Sequence, residues 1–562
     1  MQKYPLFARS IVVLLLGYLL LGIAHIAILP PWEGFDETAH YSYLQQIADT
    51  YKLPRQGTAR ISQDVEKYIL FAPMPYSGVS PMERNGGFTY KAFFESPAEI
   101  VNRGYEYIHK PPIEPRNYTE GNSNNWQSQH PPLYYLLLSP IYLATKYLSW
   151  GVQLFILRLT SYLFAWSALI VGVYACLLAI HSHSSTTNKP LYYWTMLGFG
   201  IWPIIFPSWF PEMARMGNDS LCALIMALIL VVSIRACRNG LSLTYSFALG
   251  VLLGLGCLTK SFFIPVTVGV VSFWGIRQWT IEGKQHLKTT LFYLSLMLLT
   301  IASISGWWYF MNWYQHGVVL GSDEMIHLKN AGGLLKNLLQ NFSLKAWLRG
   351  NAAFITTFVW SCTWSLARPP YIYLAPMAFI AIFVATTYII ALRRFKLTTA
   401  SWLPAWCSLP VLLGFSYHVL LRIALTGEGR GTGGHYLHFL VVPLIVALGI
   451  GFGTAWHKKG FRITAFILFL YAVVFSVAIS WAQFLLFSGI IFKSGSNKFY
   501  QFPESMPSLL GLSDAFVNLK AIAFPNIGIF AWLFGVILIT IGLTLTWKSG
   551  VPIDLEQIEV SC

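Results

Sequence analysis

Asp36, Glu37 and His40, in the stretch Pro30-Pro31-Trp32-Glu33-Gly34-Phe35-Asp36-Glu37-Thr38-Ala39-His40, are the side chains here best suited to proton transfer or metal binding. They follow the first apolar run and open a stretch that reads as a helix through Tyr51. His40 comes four residues after Asp36 and three after Glu37, so all three can share one helical face. At a helix start, exposed amide donors and the macrodipole favour an ionised carboxylate. Such a group acts as a base or metal ligand sooner than as a proton donor. A base here could deprotonate a hydroxyl group. The plain alternative is a helix cap with a surface histidine. Against it stands the cost of carboxylates at a membrane boundary, which makes them functional candidates by default. A divalent ion held by Asp36, Glu37 and His40 is a further option, although three residues are too few to establish a metal site.

Other polar groups fall on the same side of the apolar runs. Gln129-His130-Pro131-Pro132-Leu133-Tyr134-Tyr135 reads as a proline-started helix, with His130 at the depth of Asp36 and near a headgroup or metal. Glu212, Arg215, Asn218 and Asp219 lie at an outer turn, where Asn218 can cap the next helix and Arg215 can meet a phosphate. Leu258-Thr259-Lys260-Ser261 makes a tight outer hairpin whose lysine either snorkels or gives a lipid phosphate a point charge. In Gly427-Glu428-Gly429-Arg430-Gly431-Thr432-Gly433-Gly434-His435, glycines would let backbone amides approach a phosphate, but no Walker spacing is present. Trp307, Trp308, Trp313 and Tyr314 read as an interfacial belt.

The elements that must position these groups are membrane spans. The chain is 55% hydrophobic and only 11% charged, with a mean hydropathy of +0.54, which excludes an ordinary globular protein. The net charge of +15 does not point to nucleic acid, because the basic residues form small clusters between apolar runs. Spans of about 20 apolar residues read near 9–29, 153–181, 190–210, 218–236, 241–259, 261–278, 287–311, 371–392, 400–421, 436–456, 463–490 and 525–547. With the N-terminus inside, every inner connection is basic: Lys189; Arg235 and Arg238; Arg277, Lys284 and Lys288; Arg393, Arg394 and Lys396; Lys458, Lys459 and Arg462; Lys548. Counting 131–150 as a span would invert that order, so it reads as an interfacial or re-entrant helix. The expected fold is an all-α polytopic membrane protein of about 12 transmembrane helices. Its divisions are a first helix (1–30), a long extracytoplasmic loop with juxtamembrane helices (31–152) and a transmembrane core (153–312). A second outer loop (313–370) and C-terminal helices with a short cytoplasmic tail (371–562) complete it. None of the seven cysteines lies in the long first loop, and no disulfide framework or zinc spacing follows.

The order of these landmarks resembles that of membrane glycosyltransferases of the C-type fold, such as protein O-mannosyltransferases, aminoarabinose transferases and uncharacterised bacterial members. The likeness rests on a span, the Asp36-Glu37 pair, His130-Pro131-Pro132-Leu133-Tyr134-Tyr135, Asn218-Asp219, Leu258-Thr259-Lys260 and Gly306-Trp307-Trp308 through Asn312. It implies a polyprenyl-phosphate-linked sugar as donor and a lipid, glycan or protein acceptor. It also implies an inner-membrane protein with its active site on the periplasmic face. Asp36 matches the first-loop catalytic carboxylate, and Lys260 and Arg430 fall where such enzymes hold the lipid phosphate. Where bacterial relatives carry Arg-Tyr-Leu, this chain has His435-Tyr436-Leu437, which moves the expected phosphate contact to Arg430. The rival reading is a transporter or flippase of lipid-linked saccharides, which should show charged mid-span residues and broken helices.

Overall fold

A computed structural model of the chain describes residues 5–75, 87–181, 198–202, 204–282, 286–361, 363–365, 369–394, 399–456, 459–492 and 509–548. Outside them lie Lys189, Lys284, Lys396 and Lys458, Asn85 and Gly86, Cys362 and Cys562, the first part of the 190–210 run, and 493–508.

The longer helices, in chain order, are α1 (Pro5–Ile28), α2 (Glu37–Thr50), α3 (Ala98–His109), α4 (Leu133–Thr145), α5 (Trp150–His181) and α6 (Asp219–Asn239). They continue with α7 (Leu243–Cys257), α8 (Phe263–Arg277), α9 (Leu287–His316), α10 (Asp323–Asn330), α11 (Leu334–Asn341) and α12 (Leu344–Val359). The last are α13 (Tyr371–Arg394), α14 (Thr399–Thr426), α15 (Val441–Trp456), α16 (Lys459–Phe487) and α17 (Pro525–Lys548). Among the described residues, α1, α5, α6, α9, α13, α14, α16 and α17 are long and apolar enough to cross a membrane. The protein is a polytopic helical membrane protein. The runs at 241–259 and 261–278 form helices of only 15 residues each, and 436–456 begins as a 3-10 segment, Gly434–Leu440. At 13 residues α4 is too short to cross, in keeping with its interfacial reading.

One departure from an all-helical chain occurs in the long first loop. There β1 (Arg60–Ser62) pairs antiparallel with β2 (Glu120–Asn124), Arg60 opposite Asn124. Beside it, Trp32 is fully buried and meets Tyr41, Tyr68 and Trp150 edge-on at 5.2–5.8 Å. Such edge-to-face rings combine a large buried area with a fixed geometry, which holds the loop after α1 against α2 and α5. Across the bundle, α1 packs along α17 through small residues. A Cβ on Gly17 would sit 2.7 Å from Ile539, so only glycine permits that approach.

Candidate active site

The segment 30–36 is fastened from several sides before any chemistry is considered. Arg158, from α5, donates to the carbonyls of Leu29 (2.5 Å) and Pro30 (2.8 Å). Arg215 donates to the Phe35 carbonyl at 3.0 Å. Glu33, fully buried, accepts from the Tyr90 hydroxyl (2.7 Å) and the Ser365 amide (3.2 Å), while its carbonyl accepts from the Trp364 amide (2.9 Å). Burial raises the Glu33 carboxyl above its ordinary value, and those donors oppose the rise. Trp32 and Asp36 are two of only three non-glycine residues with positive φ among the described residues, at 68° and 60°. Left-handed backbone is uncommon outside glycine and persists only where the surroundings enforce it.

That geometry separates Asp36 from its neighbour. Asp36 stands at the N-cap of α2 but makes no capping hydrogen bond; its carboxylate accepts from Trp126 Nε1 at 2.8 Å. It keeps part of its surface open. Burial raises its pKa, against the Trp126 hydrogen bond and the positive charges of Arg215 and Lys260. The helix start was expected to hold this acid ionised; desolvation outweighs that, because the side chain is turned away from the α2 amides. Glu37 is fully buried and committed elsewhere. Its Oε1 and Oε2 take Arg158 Nε (2.7 Å) and Nη2 (2.6 Å), and Oε1 also accepts from the Met216 amide (2.9 Å). His40 is buried with Nδ1 2.7 Å from the Tyr135 hydroxyl, and burial, with Arg215 next, lowers its pKa well below the ordinary value. The trio therefore does not converge. Among the described residues no three His, Cys, Asp or Glu side chains, Asp36, Glu37 and His40 included, are placed to hold a metal ion.

Of the sequence-expected phosphate contacts, Arg215 and Lys260 lie close enough for their charge to act on Asp36, and His130 lies beside His40. His130 stacks 6.4 Å from His40 and is lowered to about 3 by burial and then by Lys260. Arg215, 2% exposed, donates through Nε to Glu212 at 3.0 Å and through Nη2 to Glu212 and, at 2.8 Å, to Asp219. Lys260, also 2% exposed, donates to Asp219 at 2.7 Å and lies 4.5 Å from the ring centroids of both Phe262 and Tyr436. Asn218 does not cap α6; its Nδ2 reaches the Thr259 carbonyl at 3.3 Å and ties this turn to the Lys260 hairpin. Arg430 is not part of this set. It is exposed on its loop and takes no ion pair among the described residues. The glycine-rich stretch sends His435 inward instead, stacked 4.8 Å from Phe35 at 12°.

Arg158, Trp126 and Tyr135 were missed as partners in the sequence. Arg158 carried a usable signal, since an arginine inside an apolar run must find a buried partner. The cations also differ from the free positive groups the sequence suggested. Each is already neutralised by a buried carboxylate, so an incoming anion must compete with Asp219 for Lys260. Two buried acceptors, Glu212 Oε2 and Asn218 Oδ1, have no hydrogen-bond partner among the described residues, which leaves them open to a ligand or water.

The fold and site together define an integral membrane protein with a buried, charge-dense cluster of side chains at the end of its first span. No family model matches the chain, and no curated relative matches it. Among solved structures it is similar to the crystal structure of ArnT from Cupriavidus metallidurans bound to undecaprenyl phosphate, with 13% identity over 96% of this chain and 77% of that one and a TM-score of 0.42. The apo structure of the same ArnT gives 15% identity over 86% and 75%, with a TM-score of 0.37.

Proposed function

We propose that the protein is a membrane glycosyltransferase that moves a sugar from a polyprenyl-phosphate-type donor to an acceptor hydroxyl on the periplasmic face of the bacterial inner membrane. The observation that carries this reading is Asp36. It is a partly open carboxylate released from helix capping, raised in pKa by burial, and within the fields of Arg215 and Lys260. A base tuned upward by burial works closer to neutral pH than an ordinary carboxylate.

In the reaction, Asp36 takes the proton of the acceptor hydroxyl as its oxygen attacks the anomeric carbon. The bond from that carbon to the phosphate oxygen breaks, and the lipid phosphate leaves with the electron pair. Lys260 and Arg215 stabilise the charge that develops on it, Lys260 by exchanging part of its contact with Asp219 for the phosphate. His130 and His40, both held neutral, line the acceptor side. Glu37 and Arg158 are positioning residues that fix the loop bearing Asp36. Arg430, on the exposed rim, meets donor headgroups before they enter. The divisions 1–30, 31–152, 153–312, 313–370 and 371–562 then serve as anchor, catalytic loop, core, outer cover and closing helices.

The test supplies purified protein in lipid with a radiolabelled polyprenyl-phosphate sugar and an envelope extract as acceptor. Label recovered on a glycan, lipid or protein supports the reading. Label released only as free sugar, or moved across the bilayer unchanged, overturns it.

A further inference from the structure

We propose that α11 and the first turns of α12 form a docking face for anionic lipid headgroups, in the leaflet on the Asp36 side of the membrane. This segment lies on that side because Gln56 Nε2 donates to Asp323 Oδ1 at 2.6 Å and the Trp364 amide to the Glu33 carbonyl. Along α11, Leu334 and Leu338 pack with Leu421 and Ala424 of α14. Leu335 and Leu339, one turn apart, point away from that contact and are 72% and 79% exposed. Phe342, Leu344 and Leu348 continue the exposed apolar surface into α12. Large apolar side chains left together in this way mark an interaction surface. Trp313 and Tyr314, exposed at the end of α9, mark the membrane boundary beside it.

Charge identifies the occupant. Lys336, Lys345 and Arg349 are exposed around the apolar surface and take no ion pair among the described residues. The sequence holds no Asp or Glu from Met325 to Gly427. The acids on the facing elements are Asp323, taken by Gln56, Glu324, beside His418 and Arg422, and Glu428, exposed next to Gly429 where that loop packs on Ala346 and Gly350; the exposed Arg430 on the same loop offsets its charge. Under the positive-inside rule this side should be poor in basic residues, so a cationic amphipathic surface here needs a local reason. Apolar side chains at the acyl boundary, with cations at headgroup level, suit an anionic leaflet. From this face α12 runs to Thr357, whose hydroxyl accepts from the Gly434 amide at 2.7 Å, next to His435. The lipid surface thus leads toward the Asp36 cluster, but its existence does not depend on the catalytic reading.

The test uses the full-length protein in nanodiscs of phosphatidylcholine alone or mixed with phosphatidylglycerol, reading amide hydrogen exchange over 334–349. Slower exchange in the anionic discs is expected. Each of Lys336→Gln, Lys345→Gln and Arg349→Gln should remove about fivefold of that difference. The double variant Leu335→Ser/Leu339→Ser should speed exchange in both lipids. Equal exchange of the wild type in the two lipids would overturn the proposal. So would protection that survives in detergent and grows with protein concentration, which would assign the face to a second copy. The wild-type comparison stands even if a variant fails to fold.

Discussion

The two ends of α2 carry the same residue in opposite circumstances. At its far end Asp49 is a closed latch, its carboxylate accepting from the Tyr118 amide (2.8 Å), the Tyr142 hydroxyl (2.9 Å) and Lys146 (3.1 Å). At its near end the Asp36 carboxylate holds one hydrogen bond among the described residues, from Trp126, on a left-handed backbone, while the neighbouring cations are engaged with Glu212, Asp219 and Glu37. Asp49 has its donors and joins α2 to the outer loop. Asp36 lacks them, and burial then raises its proton affinity. One acid contributes stability; the other gives part of that up for reactivity.

Substitutions at the two ends should therefore separate. The largest effect is expected from Asp36→Asn, which should slow sugar transfer by about 10²–10⁴-fold, the usual worth of a general base, with unfolding temperature little changed. Arg158→Met should instead act on stability. It strands the buried Glu37 carboxylate and should cost about 3–5 kcal/mol in thermal or denaturant unfolding, with part recovered in Glu37→Gln/Arg158→Met.

Acid pH should distinguish the same two kinds of group. Because Asp36 must be ionised to act and its pKa is raised, the acid limb of the rate profile should lie above the ordinary carboxylate range. Trp126→Phe removes a hydrogen bond that lowers this pKa and should move the limb to higher pH. For folding the sign follows from His130, which is lowered from 6.5 to about 3. The unfolded chain binds protons below 6.5 and the folded chain does not, so stability should fall as pH drops from 6.5 toward 3. Asp49→Asn should lose about 1–2 kcal/mol from the latch while leaving transfer near wild type. The smallest change is expected for Tyr135→Phe, about 1 kcal/mol for the hydrogen bond to His40.

Much of this arrangement could be read along the chain because membrane physics is local. Apolar runs and basic connections mark the helices, and the charge order of the connections sets the short α4 apart from the spans. Asp36, Arg215 and Lys260 stood out because charged residues are rare near spans. Their pairings were not visible, since Glu37 and Arg158 lie 121 positions apart and Lys260 and Asp219 lie 41 apart. Spacing placed Glu37 beside Asp36 on one helical face but could not show that a guanidinium from α5 holds it. Arg430 looked suitable by residue type and loop composition. Which side chain of a glycine-rich turn points inward depends on packing, here the stacking of His435 on Phe35.

Single-turnover sugar transfer by Asp36→Asn and Asp49→Asn, measured side by side in the same lipid and with folding checked for both, addresses the central claim most directly. A collapse of the rate in the first variant and a near wild-type rate in the second is the result this account predicts. Equal rates in the two variants would contradict it.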